Sequence, residues 1–495
     1  MRLIEWRLGM DNETHSYTIQ LKSQKNYLKS YKKMFKERIH NVSTLLLLFV
    51  ISVLGISAKS AIPPQRPIIQ TKYTADPAPM VYKDTVFLYT SHDEDDAMGF
   101  KMQDWLLYSS TDMVNWTEHG VVASLKNFDW VPYDNGAWAV QCIERNGKFY
   151  LYCPMPNGIG IGVLVSDSPY GPFKDPIGKP LIKNSNHDID PTVFIDDDGQ
   201  AYMYWGNPKL YWVKLNEDMI SYSGDIQQDP TTPSNYQEGP WVWKRNGLYY
   251  LAYASTCCPE GIGYAISSSP TRSWEYKGMI VDASEKTRGN HPGIIEFKGK
   301  SYCFGHSYDL LKKNTSKFYE RRSVDMDEIV YNSDGSIQNR HYWSIEGPSQ
   351  VGRLNPFQRV EAETMAWSEG LKTHFETEWE GDFDWARGNK IADRLYVTSI
   401  NHGDYLMLKG VDFANGTKSV DVCISSINGG KIEIRTDKID GPIISTIDVD
   451  FSGEAGIWRT ITSPVEEIKG VHDLYFIFKG EKDLFNFDWW SFSEI

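Results

Sequence analysis

Cysteine is scarce in this chain, six in 495 residues, and the six are scattered. Cys142, Cys153, Cys257, Cys258, Cys303 and Cys423 form no ladder of the kind that staples small secreted domains. The vicinal pair Cys257-Cys258 lacks a second cysteine pair or a nearby histidine at zinc spacing, so the six read as mostly buried small residues. Long apolar runs are equally rare. Only residues 45–56 qualify, and they are short for a membrane span. Basic residues are in deficit, 51 Lys and Arg against 65 Asp and Glu, for a net charge of −14. The first 58 residues hold 9 basic and 4 acidic side chains, which leaves 42 against 61 in the remainder. So acidic a body argues against nucleic acid or an anionic membrane as partner, and it leaves a neutral polysaccharide open.

What is present describes a folded, exported, two-domain protein. Apolar residues make up 41% and charged residues 23%, a globular balance, and the length exceeds one ordinary core. The apolar run follows Lys36 and Arg38 and gives way to Ser57-Ala-Lys-Ser-Ala61, the three regions of a secretory signal. Met34 just upstream is a candidate true start, residues 1–61 form the extension and leader, and no cysteine near the cleavage point indicates a lipid anchor. The mature protein is therefore expected in the periplasm or medium, not in the membrane. Aromatics are high at 14%, with 17 Trp and 29 Tyr, which fits a β-rich core, flat platforms for sugar rings, or both.

Strand patterns dominate, and they repeat. The segment Pro79-Met-Val-Tyr-Lys-Asp-Thr-Val-Phe-Leu-Tyr89 has the shape of Cys142-Ile-Glu-Arg-Asn-Gly-Lys-Phe-Tyr-Leu-Tyr152. The shape recurs at 193–204, 241–251 and 294–303, with turns roughly 50 to 60 residues apart. Asn146-Gly147, Asp198-Gly199 and Asn246-Gly247 are hairpin signals, because type I′ turns need positive φ at both central residues. One hairpin per blade predicts a five-bladed β-propeller over residues 62–355. Eight residues before the turn residues Asp84, Asn146, Asp198, Asn246 and Lys298 stand Asp76, Trp138, Asp190, Glu238 and Asn290. Equivalent positions of a propeller are related by rotation, so these five side chains are expected to converge on the mouth of the central channel.

Three of the five are carboxylates. Cleaving a glycosidic bond needs an acid at the leaving oxygen and a base on the opposite face of the sugar. A third carboxylate raises the proton affinity of its neighbours, because like charges oppose ionisation. Ala75-Asp-Pro-Ala-Pro79, His187-Asp-Ile-Asp-Pro-Thr192 with its Asp-Asp-Asp-Gly199 turn, Gln237-Glu-Gly-Pro-Trp241 and Asn290-His-Pro-Gly293 together resemble the motifs of glycoside hydrolase family 43, over residues 70 to 355. The resemblance implies Asp76 as general base, Glu238 as general acid, and Asp190 as the group that tunes and orients the acid. It also implies inversion at the anomeric carbon, with the carboxylates roughly 6.5–9.5 Å apart. By the same resemblance His291 supports a hydrated calcium ion near the axis, and Arg321 contacts substrate, although a surface salt bridge is an equal reading. Trp138 is either a sugar platform or core filler. His92-Asp-Glu-Asp-Asp96 reads as a solvated loop near the cleft mouth.

From Leu354-Asn-Pro-Phe357 the repeat stops, and residues 356–495 show the alternation of a β-sandwich, as in Lys431-Ile-Glu-Ile-Arg435. Arg359-Val-Glu-Ala-Glu363, Gly403-Asp-Tyr405 and Phe485-Asn-Phe-Asp-Trp-Trp490 resemble a family 6 carbohydrate-binding module of jelly-roll type. That resemblance implies a structural calcium on Glu361, Glu363 and Asp488, and a sugar cleft at Trp458 and Asn486. Ser399 stands where the family usually has a second aromatic, so the alternative is a sandwich that only braces the propeller. The expected fold is thus all-β, with no organic cofactor. The expected activity is removal of α-L-arabinofuranosyl side chains from arabinoxylan. A β-D-xylosidase is the runner-up, ahead of an endo-arabinanase or a non-catalytic glycan-binding protein.

Overall fold

The computed structural model describes residues 66–284, 287–376, 394–426, 428–451 and 456–495. The expected leader, with Met34 and residues 45–56, lies outside them. Among the described residues no helix is long and apolar enough to cross a membrane. Among the described residues the α-helical structure is one short piece, Asp309–Asn314.

Five antiparallel sheets occupy residues 73 to 329. Their innermost strands are Tyr73–Tyr82, Gln141–Arg145, Thr192–Ile195, Tyr236–Arg245 and Gly293–Phe297. Each of these neighbours the next, and the last neighbours the first, so the sheets close into a ring. The seam is sewn by the segment that leads into the first strand. Ile68 N donates to Val324 O (2.9 Å) and Thr74 N to Arg322 O (3.0 Å), which covers the outer edge of the last sheet.

The hairpin turns behave as their residues demand, with one exception. Asn146-Gly147 and Asn246-Gly247 have positive φ at both positions, as does Lys298-Gly299. Asp198-Gly199 does not follow the type I′ expectation, for only Gly199 is left-handed, at φ 82°. There Gly199 N bonds Asp196 O and Asp196 N bonds Gln200 O, a longer turn closed by a glycine bulge. The aromatic excess goes mainly into the core. Trp105, Trp205, Tyr89, Tyr152, Tyr204 and Tyr250 are fully buried. Buried phenols need partners, and several find backbone carbonyls, as Tyr89 does at Pro169 (2.6 Å) and Tyr152 at Met219 (2.9 Å).

The second region is a sandwich of two antiparallel sheets. Alternation places Ile432, Ile434, Val420, Val422, Phe476 and Phe478 in its core with no exposure. It is joined tightly to the first sheet of the ring. Thr364–Met365 pairs with Trp116–Ser124. Asn115 Nδ2 donates to Lys409 O and Lys409 N returns a bond to Asn115 Oδ1, both 2.9 Å. Buried Glu118 accepts from Thr71 (3.1 Å) on the ring side and Thr373 (2.8 Å) on the sandwich side.

Candidate active site

Two of the three carboxylates sit in backbone that few residues tolerate. Asp76 has φ 51° and Asp190 φ 58°, left-handed values that Asp accepts more readily than most side chains. Asp76 lies in a register shift between Ala75 and Ala78, and Glu238 beside one that ends at Trp241. These irregularities turn the side chains out of the pleat toward the ring's mouth. Gly239 follows Glu238 at φ 59°, and a Cβ there would meet the His291 ring at 2.7 Å, so only glycine fits.

Asp76, Asp190, Glu238, Trp138 and His291 line one cavity of about 300 Å³. His291 stands between the acids. Its Nδ1 is 3.5 Å from Asp76, while its Nε2 is 3.6 Å from Glu238 and 3.8 Å from Asp190. Asp76 therefore lies on one flank of the imidazole and the other two acids on the opposite flank. Burial alone would lower the histidine, but Asp190, Asp76 and Glu238 outweigh it and push it up to about 10. Burial raises Asp190, and Glu238 and Asp76 add to that against the opposing His291, so its carboxyl reaches about 8. Asp76 goes the other way. Burial would raise it, but Arg322, His291, His306 and a bond from Ser91 (2.7 Å) hold it below the usual carboxylate range. One acid is thus poised to stay ionised and another to keep a proton.

Several neighbours escaped sequence reading. Arg322 donates from Nη1 to Asp76 (2.9 Å), and buried Asp93 clamps its guanidinium from Nε (2.9 Å) and Nη2 (3.0 Å). Asn207 Nδ2 donates to Glu238 Oε2, and Asn207 Oδ1 accepts from Gln237 Nε2 (3.0 Å). Phe100 and Met102 form an apolar wall, and Glu260 is a fourth acid in the cavity, which burial and Glu238 push up to about 7.

Four expectations are corrected. Arg321 is turned away from the cavity, its Nε bonded to Ala97 O (2.8 Å), and the adjacent Arg322 faces inward, since neighbouring residues in extended chain point oppositely. Asn290 is fully buried and does not line the cavity; its Oδ1 accepts from His306 N (2.9 Å) instead. Within 92–96, Asp95 and Asp96 are exposed, but Asp93 is wholly buried by Arg322. Cys257 and Cys258 are exposed and joined to each other, with Cys257 at the cavity wall, while the other four cysteines are buried and free.

The surroundings fit a cation at the axis. Asp190, Glu238 and His291 bring ligand atoms within 4.8 Å of one another, and buried Asp190 Oδ2 has no hydrogen-bond partner. In the sandwich, Glu363 has a buried Oε2 that lacks a partner, and burial, then Glu361 and Asp488, raises its carboxyl, but these three acids do not bring their oxygens within 4.8 Å of one another as the axial group does. Arg359 binds Glu361 through both oxygens (2.7 Å each), and Arg359 and Arg394 approach Asp488 at 3.5 and 3.6 Å. Trp458 is half-buried, 5.1 Å from Tyr396 edge-on, with the Arg394 guanidinium 4.6 Å over its ring. Asn486 accepts from Thr398 (2.8 Å). Tyr396 thus puts a second aromatic beside Trp458 although Ser399 has none.

Comparison with known proteins follows the same division. The family model for glycosyl hydrolases family 43 matches residues 64–337, and that for the family 6 carbohydrate binding module matches residues 361–494. An arabinoxylan arabinofuranohydrolase of Bacillus subtilis (strain 168) is 33% identical over 86% of this chain and 92% of its own. The crystal structure of a family 43 arabinoxylan arabinofuranohydrolase from Bacillus subtilis, in complex with cellotetraose, aligns with a TM-score of 0.75 at 31% identity, over 88% of this chain and 99% of that one. Xylosidase/arabinosidase 43A of Humicola insolens is 31% identical over 55% of this chain and 98% of its own.

Proposed function

The chain belongs to glycosyl hydrolase family 43 with a family 6 carbohydrate-binding module behind it, and from that premise we propose that it removes α-L-arabinofuranosyl side chains from arabinoxylan with inversion. The observation that carries this reading is the placement of Asp76 and Glu238 on opposite flanks of His291 in one cavity. In the proposed mechanism Asp76, kept ionised by Arg322, takes a proton from the attacking water. Glu238, oriented by Asn207, gives a proton to the leaving oxygen. Asp190 holds a proton at neutral pH and orients the acid beside it. Trp138 and the Phe100 wall offer apolar surface to the sugar ring.

Calcium belongs to this proposal at two places. Near His291 it would take the place of the imidazole proton as the positive charge beside the acids, and in the sandwich Glu361 would have to leave Arg359 before Glu363, Glu361 and Asp488 could hold it between chain segments far apart in sequence. Trp458, Tyr396 and Asn486 are the proposed glycan contacts there, and export by residues 1–61 completes the reading.

A β-D-xylosidase is the second reading, favoured by the likeness to the Humicola xylosidase/arabinosidase. The deciding experiment compares an aryl arabinofuranoside, an aryl xyloside and arabinoxylan, with proton NMR of the first-formed sugar. Release of arabinose as the inverted anomer is expected. Preference for the xyloside would move the assignment to the second reading, and retention would remove Asp76 as base.

A further inference from the structure

Glu260 is the acid in the cavity that the mechanism leaves unused. It opens the strand Glu260–Ser267 and is 1% exposed, yet it lines the cavity. Its backbone is pinned from both sides. Thr287 Oγ1 donates to Glu260 O (2.6 Å), and Gly261 N donates to Ser255 Oγ (2.9 Å). Gly261 also passes so close to the neighbouring strand that an added Cβ would meet Val281 O at 2.5 Å. The side chain therefore has little freedom to leave its place.

One carboxylate oxygen, Oε2, accepts from the backbone N–H of Asn290 (3.2 Å). No described residue donates a hydrogen bond to the other, Oε1. Oε1 is not sealed in the interior; it faces the cavity, where a ligand hydroxyl can reach it. The ligand class follows from the position. Glu260 holds the backbone N–H of Asn290, and the preceding Gly289 lies against the acid, for a Cβ there would meet Glu238 Oε1 at 3.5 Å. Glu260 thus stands on the acid's side of the cavity, where the leaving oxygen must lie. The same wall runs outward through exposed Cys257 and half-exposed Arg288 to solvent, the direction in which a polymer left behind would extend.

We propose that Glu260 accepts a hydrogen bond from a hydroxyl of the sugar left behind, the main-chain residue that carries the cleaved substituent, and so selects polysaccharide over simple leaving groups. This rests on the hydrolase reading above and adds a specificity residue to it. A hydroxyl donor suits the free oxygen, whereas an aryl leaving group offers it nothing.

The test is the ratio of kcat/KM on an arabinose-substituted xylooligosaccharide to kcat/KM on an aryl arabinofuranoside, for wild type, Glu260→Gln and Glu260→Ala. A hydrogen bond to a charged acceptor predicts that the ratio falls about 10-fold or more in Glu260→Ala, with Glu260→Gln between it and wild type. Equal losses on both substrates, leaving the ratio unchanged, would overturn the proposal and make Glu260 a support for Glu238 or for the fold. Melting temperature identifies any variant that fails to fold, and Glu260→Gln, equal in size, then decides. A wild type inactive on both arabinosides strikes the substrate reading instead, and the same ratio is then taken between a xylooligosaccharide and an aryl xyloside.

Discussion

The ring and the sandwich each gather three or more carboxylates, and they treat them in opposite ways. In the ring Asp76, Asp190 and Glu238 surround one buried histidine, and of the three only Asp76 pairs with Arg322. Their environments are unequal, and unequal proton affinities are what acid–base chemistry requires. In the sandwich Arg359 pairs with Glu361, both arginines flank Asp488, and Glu363 is left buried with a spare oxygen. There the charges are paired off by arginine, and among the described residues none shares a histidine with another acid. Identical side chains become reagents or fasteners according to which cations stand beside them.

The largest expected effect separates the two sets outright. Asp76→Asn should lower kcat by at least about 10³-fold, and Glu361→Gln should leave kcat on an aryl glycoside within about 2-fold. Comparable losses in both variants would erase the distinction. Next, Arg322→Met should cost about 10²-fold in kcat/KM, well beyond Arg321→Met. It should also move the acidic limb: without the guanidinium the Asp76 carboxyl rises, so activity disappears at a higher pH as the solution is acidified. A larger loss from Arg321→Met would restore the reading that the fold reversed. The alkaline limb has its own source. Asp190 loses its proton as pH rises through about 8, so kcat/KM should decline there, and a profile flat to pH 9 or above would contradict a protonated Asp190. On the sandwich side, Trp458→Ala should weaken retention on insoluble arabinoxylan several-fold without changing turnover of a soluble aryl glycoside. The smallest effect lies between the regions: Thr373→Val removes one of two bonds to Glu118 and should cost about 1 kcal/mol, measured by denaturant unfolding.

How much of this was legible beforehand depended on distance along the chain. The three carboxylates of the cavity could be found because an internal repeat supplied a coordinate, and side chains at one repeat position meet by symmetry. The same coordinate misjudged Asn290, because a repeat position specifies where Cα lies and not whether a bulge turns the side chain outward. Arg322 was missed by one residue for a similar reason. Asp93 looked solvated among its acidic neighbours, since its partner is 229 residues away. Glu260 and Asn207 carried no repeat signal at all. Their importance comes from proximity to Glu238, which no local pattern encodes.

By itself the sequence determined an all-β, two-part chain, its hairpins and its three central acids, because strand alternation, turn glycines and repeats are local or periodic properties. Tertiary structure alone decided which arginine serves Asp76, which acid is driven toward holding a proton, and which three acids raise the proton affinity of the histidine between them. Those properties depend on burial and on charges brought within a few ångströms by ring closure, and neither exists until the sheets have met.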